Sequence, residues 1–111
     1  MTILVFDENL MWSAKLKSAI EHLGHEAVLF DRVPGFDFIG DVAIVNLGSS
    51  AIPARELIEI LKQKSIKSIA HAGHKEKPLL LVGTESGADL VVTNSELTHK
   101  FEDVLQRASV F

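Results

Sequence analysis

The apolar positions of the chain fall into five short blocks, Ile3 to Phe6, Ala27 to Phe30, Val42 to Val45, Ile66 to Ala70 and Leu90 to Val92, separated by stretches with helical spacing. Short runs rich in β-branched residues predict strands. The near-continuous apolarity of the first, third and fifth blocks predicts strands buried on both faces, as in a parallel sheet covered by helices. The fourth block, Ile66-Lys67-Ser68-Ile69-Ala70-His71, is the least continuous. Between the first two blocks Leu16, Ile20 and Leu23 recur at i, i+4 and i+7. Gly24 follows where a left-handed residue closes a helix, so a helix is expected over roughly Leu10 to Leu23. Pro53 opens a second helix with Leu57, Ile58 and Leu61 as its buried stripe, and Pro78 opens a third that ends before Gly87. Thr93-Asn94-Ser95-Glu96 matches a capping box and introduces a last helix carrying Leu97, Phe101, Val104 and Leu105 on one face.

The connection between the second and third blocks, Asp31 to Gly40, has about ten residues and includes Pro34, Gly35 and Gly40. A crossover helix does not fit there, since parallel crossovers normally need a dozen residues or more. The expected fold is therefore a single α/β domain over residues 1–111, a doubly wound sandwich whose ligand crevice lies at the carboxyl ends of the strands.

Composition narrows the chemistry. The chain has 111 residues, which fits one core. It has no cysteine, which removes disulfides, thiolate nucleophiles and Cys-based metal sites, and agrees with a cytoplasmic setting. A net charge of −4 is opposite to the footprint of nucleic-acid binding. No run approaches the roughly 20 apolar residues of a membrane span, and the N-terminus lacks the features of a signal peptide. The five histidines, His22, His25, His71, His74 and His99, show no zinc spacing.

The residues just after each strand carry the remaining information. They are Asp7-Glu8 after the first, Asn46 after the third, Ala72-Gly73-His74 after the fourth and Asn94-Ser95 after the fifth. With Ile3-Leu4-Val5-Phe6-Asp7-Glu8-Asn9, Gly24, Asp41-Val42-Ala43-Ile44-Val45-Asn46 and Gly87-Ala88-Asp89 in this order, the chain resembles the receiver domain of bacterial response regulators over nearly its whole length. The resemblance implies a flavodoxin-like five-stranded parallel sheet in the order 2-1-3-4-5, with the second crossover helix shortened or absent. It also implies roles. Receivers hold magnesium with an acidic pair after the first strand and accept a phosphoryl group on an aspartate after the third. A Ser or Thr follows the fourth strand, and a Lys followed by Pro follows the fifth.

Asp7 and Glu8 match the acidic pair, but the other positions depart from the pattern. Asn46 stands at the phosphoacceptor position, and a neutral amide cannot form the acyl phosphate. Ala72 replaces the hydroxyl, Asn94-Ser95 replaces Lys-Pro, and Val91 stands at the aromatic position of the fifth strand. The chain thus resembles a pseudo-receiver: a non-enzymatic scaffold in two-component signal transduction that acts by protein–protein interaction. The alternative is a small-ligand or divalent-ion sensor using a crevice lined by Asp7, Glu8, Asn46, His74 and Asn94.

Each candidate has a plain structural reading beside it. Asp7 and Glu8 either bind Mg²⁺ weakly, having lost the third carboxylate, or form a solvated acidic loop that supports the first helix. An amide at Asn46 relieves the repulsion of three adjacent carboxylates and should stabilise the metal-free fold. His74, if it turns inward toward Asp7, would replace the missing lysine as an internal cation. In Leu79-Leu80-Leu81-Val82 four successive apolar residues cannot all face the sheet, and Leu80 is expected at the surface. With Val91 it would belong to a docking or homodimer face made by the Pro78 helix, the fifth strand and the last helix. These are the fourth helix, fifth strand and fifth helix of a receiver. Met11 and Trp12, beside the acidic pair, are the second interface candidate.

Overall fold

The computed structural model describes residues 1–35 and 37–109. Five strands, β1 (Thr2–Phe6), β2 (Glu26–Phe30), β3 (Val42–Asn46), β4 (Lys67–Ala72) and β5 (Leu90–Thr93), form one parallel sheet in the order β2-β1-β3-β4-β5. Helices α1 (Leu10–His22) and α5 (Phe101–Ser109) flank it with α2 (Ala54–Gln63), α3 (Lys77–Ser86) and the short α4 (Asn94–His99).

Strand alternation sorts the core into two faces. Ile3, Val5, Ile44 and Ile69 pack with Leu16 and Ile20 of α1 and with Val104 and Leu105 of α5. Leu4, Phe6, Ala43 and Val45 turn the other way, toward Leu57 and Leu61 of α2. Beside them Ala70 and Ala72 meet Ile58, Leu79 and Leu80. The close approach of α3 to the sheet depends on Gly83, where a Cβ would lie 3.1–3.2 Å from Leu47, Ala70 and Val91.

The position of each strand in the sheet corrects one expectation. β4 lies between β3 and β5 and is buried from Ser68 to Ala72, whereas β5 is an edge strand with only Val92 fully inside. An edge strand has a neighbour on one side only, so its apolar run is half-covered.

The β2–β3 connection has no helix among its described residues, as its length required. Phe38 covers the sheet in place of one. Its ring lies 5.4 Å from that of Phe6 and 6.2 Å from that of Phe30, while Phe6 and Phe30 stack at 4.9 Å. Phe38 is buried, with the Lys64 ammonium 4.9 Å from its ring centroid.

Gly24 ends α1 with φ +86°, the left-handed conformation that a Cβ disfavours. The expected last helix is two helices, α4 and α5, broken at Lys100, whose φ of −130° is not helical. The break starts α5 afresh at Phe101, so that Glu102 and Asp103 occupy its first turn, where acids favour the helix dipole. Thr93 caps α4 by accepting from the Glu96 N–H at 3.1 Å. The Glu96 carboxylate accepts from Arg107 of α5 at 2.7 Å, tying the two helices together.

Candidate functional site

The side chains of β1, β3 and β4 that face α1 continue as a polar row at the carboxyl end of the sheet. Asn46 is in register with His71, and the register of Phe6 with Val45 places Asp7 beside Asn46. Strand parity alone therefore puts Asp7, Asn46 and His71 on one face.

Asp7 is buried, and its carboxylate is used by the fold. Oδ1 accepts from the Asn9 N–H at 2.9 Å, and Oδ2 accepts from the Asn46 side-chain amide at 3.0 Å. Asn9 in turn caps α1, its Oδ1 accepting from the Trp12 N–H at 3.1 Å. One carboxylate thus links the end of β3 to the start of α1. The Asn46 amide is oriented from both ends, because its Oδ1 accepts from the Gly48 N–H at 2.9 Å. Turning it over would set N–H against N–H and carbonyl oxygen against carboxylate.

Glu8 is exposed and points elsewhere: its Oε1 accepts from the Ser50 N–H at 2.9 Å and from the Ser50 hydroxyl at 3.2 Å. Ser49 accepts from the Glu8 N–H at 3.4 Å. These serine contacts had no signal in the sequence, since they depend on how the loop after β3 folds back over β1.

The resemblance to receiver domains implies a magnesium ion at the acidic pair, and the donor set does not fit one. A cation bound at Asp7 Oδ2 would face the hydrogen atoms of the Asn46 amide, which the Gly48 bond holds in that orientation. Glu8 is committed to Ser50, and no three His, Asp or Glu side chains converge on a common point among the described residues.

The histidine that turns inward is His71. His74 is exposed on the loop after β4. Strand parity decides between them, because β4 continues through Ala72 and delivers residue 71 to the α1 face. His71 is 1% exposed, its Nδ1 is 2.7 Å from Asn94 Oδ1, and its ring stacks on Trp12 at 4.7 Å with 26° between planes. A carbonyl oxygen accepts, so Nδ1 carries the proton and Nε2 is a bare acceptor with no partner. Burial pushes the His71 pKa down, and this outweighs the upward pull of the Asn94 bond and of the Asp7 charge.

The five residues expected to line one crevice therefore divide. Asp7 and Asn46 bind each other, Asn94 serves His71, Glu8 holds Ser50, and His74 stands outside. Ala72 is buried against α3.

The interface candidates also move. Leu80 is half-buried against the Ile58–Ala70 cluster, and the exposed residue of the leucine run is Leu81, at 56%. Leu79 and Leu80 together cover the sheet side of α3, which turns residue 81 outward. Val91 is half-buried in the same cluster. Met11 is 81% exposed, while Trp12 is half-buried by its stack on His71. No helix among the described residues is long and apolar enough to cross a membrane.

No protein-family model matches the chain, and no curated protein matches it in sequence. Solved structures do match. The chain is similar to FixJ-N with a TM-score of 0.84 and 19% identity, covering 98% of this chain and 93% of that one. It matches a two-component response regulator from Clostridium difficile with a TM-score of 0.76 and 20% identity, covering 96% and 97% of the two chains. It also matches the beryllofluoride-activated NtrC4 receiver domain dimer with a TM-score of 0.78 and 13% identity, over 98% and 97%. The chain thus has the fold of response-regulator receiver domains, with a hydrogen-bonded amide where the resemblance places the phosphoacceptor.

Proposed function

We propose that this protein is a pseudo-receiver: a signalling module, not an enzyme, that needs no metal and works through protein–protein contacts without carrying a phosphoryl group. The observation that carries this reading is the Asn46 amide, fixed between Asp7 Oδ2 and the Gly48 N–H. A phosphoryl acceptor must present a free carboxylate oxygen, and this position presents an amide already used in two hydrogen bonds. The surroundings agree. Ala72 offers no hydroxyl, and Asn94 gives its oxygen to His71 where a cation would be required.

The contact surface we assign is the face of α3, β5 and α5, with Leu81 as its exposed apolar residue. The NtrC4 receiver domain, a structural neighbour, is a dimer, and a second copy of this chain is one partner to test. Incubation with acetyl phosphate and Mg²⁺ followed by intact-mass measurement tests the central point. The expected result is an unchanged mass, and a stable species heavier by about 80 Da would overturn the reading.

A further inference from the structure

His71 is the titratable side chain least accounted for by the fold. It is buried at the junction of four elements. β4 carries it, β3 sets Asn46 beside it, α4 supplies Asn94 to Nδ1, and α1 lays Trp12 flat against the ring. Nε2 has no partner, and Ser13, the next residue on α1, is also fully buried with an unpartnered hydroxyl. A structural core position of this size would be filled more favourably by an apolar ring, since a buried acceptor without a donor costs stability.

The groups facing His71 are mostly uncharged. β1 offers the Asp7 carboxylate, β3 Asn46, β5 Val92, α1 Trp12 and α4 Asn94. The charged residues of α5, Glu102, Asp103 and Arg107, are exposed, as is Lys15 of α1. Asp7 is already engaged by Asn9 and Asn46. A proton arriving at Nε2 therefore creates a buried cation whose new N–H has no hydrogen-bond partner in the neutral arrangement. The relief available is for the ring to leave its site, which releases Trp12 on one side and Asn94 on the other.

We propose that His71 is a proton-operated switch that controls the surface formed by the start of α1 and the start of α4. In the neutral state the ring clamps Trp12 and Asn94, and in acid the clamp opens and the apolar face of Trp12 joins the exposed Leu10 and Met11. This rests on the reading of the domain as one without a phosphoryl switch, and supplies an input in its place.

The sign follows from burial. The His71 pKa is lowered in the folded chain, so the unfolded chain binds the proton first. The contribution of neutral His71 to stability is complete above its ordinary value of 6.5 and is lost as the pH falls from there toward the folded value.

Trp12 is the single tryptophan, which makes the stack directly observable. Its emission, followed together with far-UV circular dichroism from pH 8 to about 4.5, should show one reversible red shift below 6.5 while the helical signal persists. His71→Gln, which keeps an amide donor for Asn94 and cannot titrate, should abolish the step. The imidazole resonance of His71 in the unaltered protein should titrate with the same midpoint, which gives a second readout if the variant does not fold. Three results would overturn the proposal: no shift in emission, a shift that coincides with loss of helix, or a midpoint different from that of His71. A mass gain with acetyl phosphate would remove the pseudo-receiver reading and leave this titration standing, so the two fail separately.

Discussion

Asn46→Asp converts the amide into the carboxylate that the resemblance places at this position, and its cost can be worked from the structure. The variant loses the 3.0 Å bond from Asn46 Nδ2 to the Asp7 carboxylate, and a hydrogen bond to a charged group contributes about 1.5–3 kcal/mol. It also sets two carboxylates side by side. At about 5 Å and an effective dielectric near 30, their repulsion is roughly 2 kcal/mol. The Gly48 N–H can still donate to the new carboxylate and offsets a little of this. The net expectation is a loss of about 3–4 kcal/mol at pH 7, against a total of roughly 5–15 kcal/mol for a domain of this kind. At about 4 °C per kcal/mol, thermal unfolding should begin near 15 °C earlier than in the parent. Asn46→Ala removes the donor without adding charge and should lose about half as much. Adding Mg²⁺ at ten times its Kd should stabilise Asn46→Asp by about 1.4 kcal/mol, a rise in Tm of roughly 6 °C, and leave the parent unchanged. Calorimetry of the three proteins with and without Mg²⁺ makes the comparison. An Asn46→Asp protein within about 0.5 kcal/mol of the parent without Mg²⁺ would refute the claim that the amide holds β1 to β3, because surface substitutions away from such features fall in that range.

Two further substitutions test the parts of the structure on which the functional reading stands. Phe38→Ala removes the ring that covers Phe6 and Phe30 in the absence of a crossover helix, and should cost about 3–5 kcal/mol by chemical denaturation. A loss under about 1 kcal/mol would mean that the connection does not close the core. Leu81→Asp should leave circular dichroism and Tm within error of the parent while abolishing self-association in sedimentation equilibrium. A parent that is monomeric at every concentration would remove the second copy as partner.

The fold was legible because each layer of the pattern agreed. Strand blocks, the Gly24 helix end, the Thr93 cap and the short β2–β3 link all point to one alternation of strands and helices, the resemblance to receiver domains supplied the strand order, and consistency of this kind is what makes a sequence specify a structure. The failures share a cause, which is that they depended on position within the sheet or on helix phase. Leu90 to Val92 reads like a buried strand, and only its place at the sheet edge half-exposes it. Leu80 and Leu81 are chemically identical, and a helix rotation of 100° per residue decides which one meets solvent.

His71 and His74 differ in the same way, and here the difference bears on function. The loop histidine had the freedom to approach Asp7, whereas strand parity assigns the strand histidine to the face of Asp7 and Asn46. The resemblance to receiver domains implies an acidic pair balanced by a metal ion and a lysine. This chain balances it with amides, Asn46 on Asp7 and Asn94 on His71, and closes it with Trp12. Replacing ions by amides removes the requirement for a cation to hold the site together. It leaves one ionisable base, His71, inside a region whose remaining hydrogen bonds are fixed. In such a region a charge on His71 meets only the Asp7 carboxylate, already engaged by Asn9 and Asn46, and in the switch proposed above it is answered by movement of the elements that the side chain joins.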